Sequence, residues 1–403
     1  MPGMPLTDID RLGPIRDWLI ATSLSGLPIE ELVTGLARQL NALDLHVGRI
    51  NIATRVLNPL IRAENWIYER RTDRTIAERF AHAPDAPEVF RASPFSYMVE
   101  HQALRMHRYL QGPEAQLDFP VLAEFARRGY TEWKACLIGF RVLPDEQPGD
   151  TLGFVASLCS DAPAPWTAAE HAALDSLLPM LANAVQGRLF ASLAQGLLGT
   201  YLGTDAASRV LRGSILRGDV TSIRAVLLYA DLRGFSGLSE TLPPERLVEA
   251  LDRHLECVVE PVEAGGGQVL KFLGDGLLAT FPTERFGERD ACRKAIAAAR
   301  EALARIAALL SESGPVLPID IAVHLGDVLY GNVGSGARLD FTVIGPAVNE
   351  AARMELLCKA VGVPITISRA VADLLHGDGM ALRSLGRHAL PGHSGLREIY
   401  TLS

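Results

Sequence analysis

The sequence predicts a protein of mixed α and β structure with at least two domains, and three observations support this. The chain has 403 residues, which at roughly 150 residues per domain is enough for two or three domains. Hydrophobic residues make up 48% and charged residues 21%, as in a globular protein with a large core. In the second half of the chain, short apolar runs alternate with amphipathic stretches, which is typical of α/β and α+β folds.

Charge and cysteine content argue against several classes of protein. The net charge is −8, whereas general nucleic-acid binding needs a basic surface. The chain contains no run of about 18 uncharged apolar residues, so we expect no membrane-spanning helix. Asp8, Asp10 and Asp17 make the first twenty residues unlike a secretory signal. The five cysteines have no metal-binding or redox spacing, so we expect a reduced, cytoplasmic setting.

The first half of the chain shows one helix and one hairpin clearly. The pattern predicts a helix near residues 28–42, while residues 45–130 give no clear period. KACLIGFRV at 134–142 and LGFVASLC at 152–159 read as two strands. The polar segment LPDEQPGD at 143–150 predicts the turn of the hairpin that these strands would form.

A long helix is predicted after the hairpin. Thr167 and Glu170 have the spacing of a capping box at its start. Its apolar stripe, with spacings of three and four, consists of Leu174, Leu178, Leu181, Val185, Leu189 and Leu193. Such a stripe fits either a seam between two paired helices or packing within its own domain. Several glycines follow, so we assign residues 196–220 to a helical linker.

After residue 220 the order is strand, helix, two strands, helix, strand. This order predicts a ferredoxin-like, split βαβ domain. The four strands are predicted at residues 225–231, 268–273, 277–281 and 319–325. Amphipathic or Ala-rich helices are predicted between the first and second strands and between the third and fourth.

Two aspartates stand at strand ends in this domain. Asp231 ends the buried strand AVLLYAD, and Asp275 lies at the Gly-Asp-Gly tip of the hairpin. Taken alone, each is better explained as a turn or N-cap residue. A split βαβ sheet, however, brings the end of its first strand to the hairpin tip. Two carboxylates there would repel each other unless they shared cations, and such pairs hold two divalent metals in enzymes that attack phosphorus.

Other polar residues point to a nucleotide. Lys271 alternates with Val269 and Leu273, so we expect it on their apolar face, where a cation needs a partner or a ligand. Asn349 and Arg353 are four residues apart on a helix that Pro346 opens, so they share one face. An amide and a guanidinium on one face suit a sugar oxygen and a phosphate.

Residues 221–403 resemble the catalytic domain of class III nucleotidyl cyclases. The matching motifs, in family order and spacing, are AVLLYADLRGFSGLSE, GGQVLKFLGDGLLATF, IAVHLGDVLYGNVGS and RLDFTVIGPAVNEAARMELL. The resemblance implies conversion of ATP to cyclic AMP and pyrophosphate, with two Mg²⁺ or Mn²⁺ ions per site. Asp231, Leu232 and Asp275 fall on the family's metal-binding positions.

The same resemblance implies roles for further residues. Lys271 and Thr342 fall on the base-reading positions, and this pair resembles the ATP-selective type; a lysine donates to adenine N1, and a hydroxyl accepts from the 6-amino group. Gly234 and Phe235 are implied in substrate binding. Asn349 would orient the ribose, and Arg353 would stabilise charge at the phosphate.

The resemblance also implies a homodimer with shared sites. One subunit would supply both aspartates, and its partner would supply Lys271, Thr342, Asn349 and Arg353. Two other functions stay open: a guanylate cyclase, which the Lys/Thr pair disfavours, and a degenerate nucleotide-binding regulatory module.

One segment departs from the family pattern. Where the family usually has a lysine for the triphosphate before a glycine, this chain has Pro391 before Gly392. Arg338, Arg387 or Arg397 would be the substitutes, and the sequence does not choose among them.

Residues 1–195 resemble a GAF-type sensor domain, chiefly in the hairpin and long helix of residues 134–195. The linker would then be a transducer between a sensor with an unidentified small-molecule ligand and the cyclase. Five histidines of this region are possible haem or metal ligands, but lone histidines seldom are, and we expect none to be: His46, His82, His101, His107 and His171.

Overall fold

The computed structural model describes the chain except for residues 1–10, 84–87, 141–151, 312–315 and Ser394. The predicted turn LPDEQPGD therefore lies outside the described residues. None of the helices in the described part is long and apolar enough to cross a membrane.

The chain divides into two compact units, residues 1–197 and 198–403. The first unit contains a six-stranded antiparallel sheet with the order β3-β2-β1-β6-β5-β4. Its strands are Val47–Arg55 (β1), Ile61–Glu69 (β2), Arg74–Ala81 (β3), Arg105–Tyr109 (β4), Glu132–Phe140 (β5) and Leu152–Ser160 (β6). The predicted hairpin is confirmed as β5 and β6, which lie next to each other.

Helices of the first unit pack on both faces of this sheet, because both faces are apolar and must be covered. The predicted helix near residues 28–42 is confirmed. The helices are Gly13–Ser25 (α1), Ile29–Ala42 (α2), Glu88–Arg91 (α3), Pro94–Glu100 (α4), Pro120–Arg127 (α5) and Ala168–Leu202 (α6).

Helix α6 begins at the predicted capping box. The Glu170 backbone N–H donates to Thr167 Oγ1 at 3.2 Å, and the Thr167 backbone N–H donates to Glu170 Oε2 at 2.7 Å. Much of its apolar stripe is buried in the core of its own unit, namely Leu174, Leu181, Val185 and Leu189. Packing within the domain therefore explains most of the stripe.

The second unit contains an eight-stranded sheet in which β7 and β10 are central. Along the sheet the order is β13-β14-β12-β10-β7-β9-β8, and β11 pairs with β10. The strands are Val220–Leu232 (β7), Gln268–Leu273 (β8), Gly276–Pro282 (β9), Ile319–Gly334 (β10), Leu339–Ile344 (β11), Ile365–Ser368 (β12), Leu382–Ala389 (β13) and Leu396–Leu402 (β14). Strands β10, β7, β9 and β8 stand in the neighbour order of a split βαβ fold.

The helices of this unit complete the βαββαβ order. They are Thr204–Leu211 (α7), Phe235–Ser239 (α8), Pro244–Ala264 (α9), Thr283–Phe286 (α10), Glu288–Leu310 (α11), Pro346–Val361 (α12) and Arg369–Leu375 (α13). Helices α9 and α11 contribute to one large core, with β7, β9 and β10. Helix α12 contributes to a second core with β11.

Helix α7 lies within the segment predicted to be a linker, yet it is packed onto the second unit. Ala206 and Ala207 are buried. The Tyr330 hydroxyl donates to Asp205 Oδ2 at 2.9 Å, and the Arg209 guanidinium lies over the Tyr330 ring at 5.0 Å from its centroid. This part of the predicted linker therefore has a fixed place on strand β10.

Candidate active site

Asp231 lies near the carboxyl end of the central strand β7 and is half-buried. Strand β9 runs antiparallel to β7, with Ala230 opposite Leu277, so Asp231 faces Gly276. A Cβ atom at Gly276 would come within 2.5 Å of Asp231 Oδ1 and 2.6 Å of the Ala230 carbonyl oxygen. Only a glycine leaves room for this carboxylate.

Asp275 immediately precedes Gly276, in the turn between β8 and β9, where Gly274 has a φ of +71°. The fold therefore brings Asp231 and Asp275 to one end of the sheet. The two carboxylates repel each other, and this repulsion helps to raise the pKa of Asp231. Burial first, and then the negative charges of Asp275 and Asp320, raise that pKa to about 6.

Sequence reasoning missed two further acids beside this pair. Asp320 is the register partner of Asp231 on β10 and is buried, as is Glu355 on α12. Burial, together with the charges of Asp231, Asp320 and Asp275, raises the pKa of Glu355 to about 7. Each is an acidic residue among apolar neighbours, and that pattern could have signalled a partner or a site.

Arg233 partly offsets this negative charge. Its Nε donates to Asp320 Oδ2 at 3.0 Å, and its Nη2 forms a second bond to Oδ1. The pair is a fork contact between a guanidinium and a buried carboxylate. Asp231, Asp275 and Glu355 have no such cation bonded to them among the described residues, so the acidic pocket keeps unbalanced negative charge.

Carboxylate oxygens of this kind suit hard divalent cations such as Mg²⁺ and Mn²⁺. Asp231 and Asp275 are the side chains that could hold them. The Leu232 side chain is buried and apolar, so only its backbone carbonyl oxygen could contact an ion. A bound cation would also remove the repulsion that raises the pKa of Asp231.

Gly234 and Phe235, predicted to bind substrate, follow Arg233 at the end of strand β7. Gly234 has a φ of +92° and caps the short helix α8, which begins at Phe235. Phe235 is partly buried and packs against the large core of this unit.

The face predicted for Lys271 is wrong in one respect. A bulge between Val269 and Lys271 places Lys271 opposite Leu278, whereas Val269 is opposite Ala279. Lys271 and Val269 therefore point to opposite faces. The extra residue in the bulge breaks the alternation on which the prediction depended.

Lys271 has a partner that the sequence did not indicate. Its Nζ forms an ion pair with Asp340 Oδ2, and both side chains are partly exposed. Asp340 stands two residues before the buried Thr342 on β11. The ion pair thus connects the two strands that carry the predicted base-reading residues.

Asn349 and Arg353 lie on α12, as predicted, with Asn349 exposed and Arg353 half-buried. The Arg353 guanidinium lies against Gly392, where a Cβ atom would come within 2.9 Å of Nη2. Gly392 follows Pro391, the position of the missing lysine. Within the described residues, neither Asn349 nor Arg353 has a side-chain hydrogen bond or ion pair.

The substitutes considered for that lysine differ in their contacts. Arg397 lies 3.5 Å from Glu350 Oε1, so it is held by a residue of α12. Arg338 and Arg387 are exposed. Among the described residues, no hydrogen bond or ion pair joins Lys271, Thr342 or the polar residues of α12 to Asp231 or Asp275.

Comparison with known proteins relates the second unit to nucleotide cyclases. Residues 221–403 match the family model described as the adenylate and guanylate cyclase catalytic domain. The match covers less than half of the chain and lies within the second unit, which has mixed α and β content.

Curated relatives match a similar share of the chain. An adenylate cyclase of Anabaena cylindrica is 32% identical over 159 residues, which are 38% of this chain and 31% of that protein. Adenylate cyclase 1 of Rhizobium meliloti is 30% identical over 176 residues, 43% of this chain and 26% of that protein. The chain thus spans about a third or less of the curated relatives named here. The solved adenylyl cyclase CyaB of P. aeruginosa is 27% identical with a TM-score of 0.42, covering 46% of this chain and 95% of that one.

Proposed function

We propose that residues 221–403 convert ATP to 3′,5′-cyclic AMP and pyrophosphate. The observation that supports this most is the meeting of Asp231 and Asp275 at one end of the sheet, beside two further acids. Two relatives named adenylate cyclase match 38% and 43% of this chain. A site with this much negative charge is suited to a substrate that arrives with divalent cations.

In the proposed reaction the ribose 3′-oxygen forms a bond to the α-phosphorus and gives up its proton. The bond from that phosphorus to the oxygen bridging to the β-phosphate breaks, and pyrophosphate leaves with the electron pair. Two Mg²⁺ or Mn²⁺ ions held by Asp231, Asp275 and the Leu232 carbonyl oxygen would supply Lewis-acid chemistry. Arg353 would stabilise negative charge at the phosphate, and Asn349 would orient the ribose.

We propose ATP rather than GTP because of Lys271 and Thr342. The lysine donates to adenine N1 and the hydroxyl accepts from the 6-amino group, whereas guanine presents a donor at its own N1. The Lys271 ammonium group forms an ion pair with Asp340. Guanylate cyclase activity stays the alternative within the same class.

We further propose a homodimer with shared sites. Asp231 and Asp275 would come from one protomer, and Lys271, Thr342, Asn349 and Arg353 from its partner. Within the described part of one chain, no hydrogen bond or ion pair joins these two sets, and this supports the arrangement. It also leaves Asn349 and Arg353 without other partners among the described residues, as substrate-binding groups would be.

For residues 1–195 we propose a GAF-like regulatory domain that takes a small-molecule ligand, followed by the transducer at residues 196–220. A cavity of about 340 Å³ supports a ligand of modest size. Its lining includes Thr54, Asn58, Arg79 and Phe190. Cytoplasmic location is part of the same proposal.

The proposed reaction is tested with the purified full chain, Mn²⁺ or Mg²⁺, and ATP or GTP, followed by chromatography of the products. Cyclic AMP from ATP, with little cyclic GMP from GTP, is the expected result. If cyclic GMP were the main product, the proposed function would be that of a guanylate cyclase instead of an adenylate cyclase. The second candidate, a nucleotide-binding regulatory module, is favoured by Pro391 in place of a lysine, and predicts ATP binding without turnover.

A further inference from the structure

Three ligand-type side chains converge in the first unit, although they are far apart in sequence. His107 lies on β4, Glu132 begins β5, and His171 lies in the first turns of α6. One nitrogen of each histidine and one oxygen of Glu132 lie within 4.8 Å of one another. The chain thus gathers two imidazoles and one carboxylate around a single point.

Both imidazoles point at the same atom. His171 Nε2 is 2.7 Å from Glu132 Oε1, and His107 Nε2 forms a hydrogen bond to that oxygen as well. The other carboxylate oxygen, Oε2, accepts the Trp166 backbone N–H at 2.6 Å. That bond fixes the orientation of the carboxylate, as outer contacts do for metal ligands.

We propose that His107, Glu132 and His171 form a binding site for a divalent transition-metal ion such as Zn²⁺. Imidazole nitrogen with carboxylate oxygen is a donor set that suits Zn²⁺ and its neighbours rather than Mg²⁺. A tetrahedral Zn²⁺ would need ligand atoms about 3.3 Å apart. All three ligand atoms lie within 4.8 Å of one another, and His171 Nε2 is 2.7 Å from Glu132 Oε1, so that pair would have to move apart as the ion binds.

Burial and access are both suitable for such an ion. The Glu132 side chain is 0% exposed, while those of His107 and His171 are 37% and 25% exposed. Solvent therefore reaches the histidines from one side, which leaves a path for the ion and a position for a fourth ligand. A fully buried carboxylate without a cation is costly, and a metal would supply the missing charge.

The ammonium group of Lys134 would compete with a metal ion for His171. Its Nζ lies 3.2 Å from His171 Nδ1 and 2.7 Å from Asp175 Oδ1. An ion on Nε2 requires the proton on Nδ1, which would then face the ammonium group. Lys134 must turn away as the ion binds, and it can keep Asp175 as its partner.

The test is titration of the full chain with Zn²⁺ by calorimetry, and with Co²⁺ by visible absorption, in excess Mg²⁺. The Mg²⁺ occupies the acidic pocket of the second unit, which prefers it. One strong Zn²⁺ site and an intense Co²⁺ band are expected. The variants His107→Gln and His171→Gln should each weaken binding about tenfold or more. The matched control, His101→Gln, changes an exposed histidine of the same unit and should bind as the wild type does.

Lys134→Met should bind Zn²⁺ more tightly, which is a gain that misfolding could not produce. Circular dichroism and thermal unfolding show whether each variant is folded. Two results would overturn the proposal. One is that both histidine variants bind Zn²⁺ as tightly as the wild type does. The other is that the wild type or Lys134→Met does not bind Zn²⁺. The three residues would then be a hydrogen-bond network alone. These outcomes do not depend on whether the second unit turns over ATP.

Discussion

Gly276 lies directly against the carboxylate of Asp231, and a Cβ atom there would come within 2.5 Å of Oδ1. The contact joins the first residue of β9 to the aspartate near the end of β7. Because Gly276 has no side chain, it leaves the space that the Asp231 carboxylate occupies.

Gly276→Ala should therefore reduce cyclase activity by more than about tenfold, because the added methyl group displaces the Asp231 carboxylate or the adjoining backbone. Overpacking of this kind costs about 1–3 kcal/mol, so the variant should still fold. Activity and thermal unfolding are measured together. Gly336→Ala is the control, since a Cβ there meets nothing within 4 Å and its φ is not positive. Full activity of Gly276→Ala would contradict the proposed role of Asp231.

Metal-free protein should lose stability as the pH rises through the range in which Asp231 and Glu355 ionise. Their pKa values in the folded chain, about 6 and about 7, exceed the ordinary values of 3.8 and 4.5. The folded chain holds these protons more tightly, so the stabilisation is full below about pH 4 and is lost as the pH rises through about 6 and about 7.

Thermal unfolding in a chelator, between about pH 5 and about pH 8, checks this expectation. The double variant Asp231→Asn, Glu355→Gln should show a smaller fall in melting temperature over that range. Asp252→Asn, on the exposed face of α9, should behave as the wild type does. An unchanged pH dependence in the double variant would mean that these acids do not repel each other in the folded chain.

Lys271→Met should lower kcat/KM for ATP by about tenfold, because one hydrogen bond from a charged donor to adenine is lost. Turnover of GTP should change little, so the preference for ATP shrinks. Asp340→Asn should change stability by less than about 1 kcal/mol, since the ion pair is partly exposed. If Lys271→Met left the ratio of kcat/KM for ATP to kcat/KM for GTP unchanged, Lys271 would not read the base.

Two inactive variants should restore activity when they are mixed. Asp275→Ala removes a metal-binding acid, and Arg353→Ala removes a phosphate-binding group. A mixed dimer would keep one intact site, so an equal mixture should recover about one quarter of the wild-type activity. Mixed dimers are verified with two affinity tags. Verified mixed dimers without activity would argue for sites made within one chain.

Much of the second unit follows from local pattern. AVLLYAD, the hairpin around Gly-Asp-Gly and the helix after Pro346 are all present where the apolar periodicity and turn residues predict them. Their order alone predicted the split βαβ arrangement. The meeting of Asp231 and Asp275 then follows from topology, because β7 pairs with β9.

Other features depend on contacts that local pattern does not encode. The bulge before Lys271 changes the face of one residue, and no glycine or proline marks it. Asp340 and Asp320 form ion pairs with residues that are 69 and 87 positions away in sequence. His107, Glu132 and His171 each look like an isolated polar residue until three elements pack together.

Residues 45–130 were the least predictable part. Strand β3 is almost wholly exposed, so it lacks the alternation that marks a half-buried strand. Strand β1 is buried on both faces over six consecutive residues, and such a run does not distinguish a strand from a buried helix. The sheet is recognisable only from its pairing.

Strand β7 pairs along its whole length with β10 and, over residues 225–230, with β9 on its other side. Its backbone amides should exchange with deuterium only in the rarest openings of the domain, whereas the β8–β9 turn lies at the last pair of strands in the sheet and should exchange sooner. We therefore expect Asp231 to lie on a rigid part of the backbone and Asp275 on a more flexible part. An arriving ion would meet one acid already in position and one free to adjust to its radius.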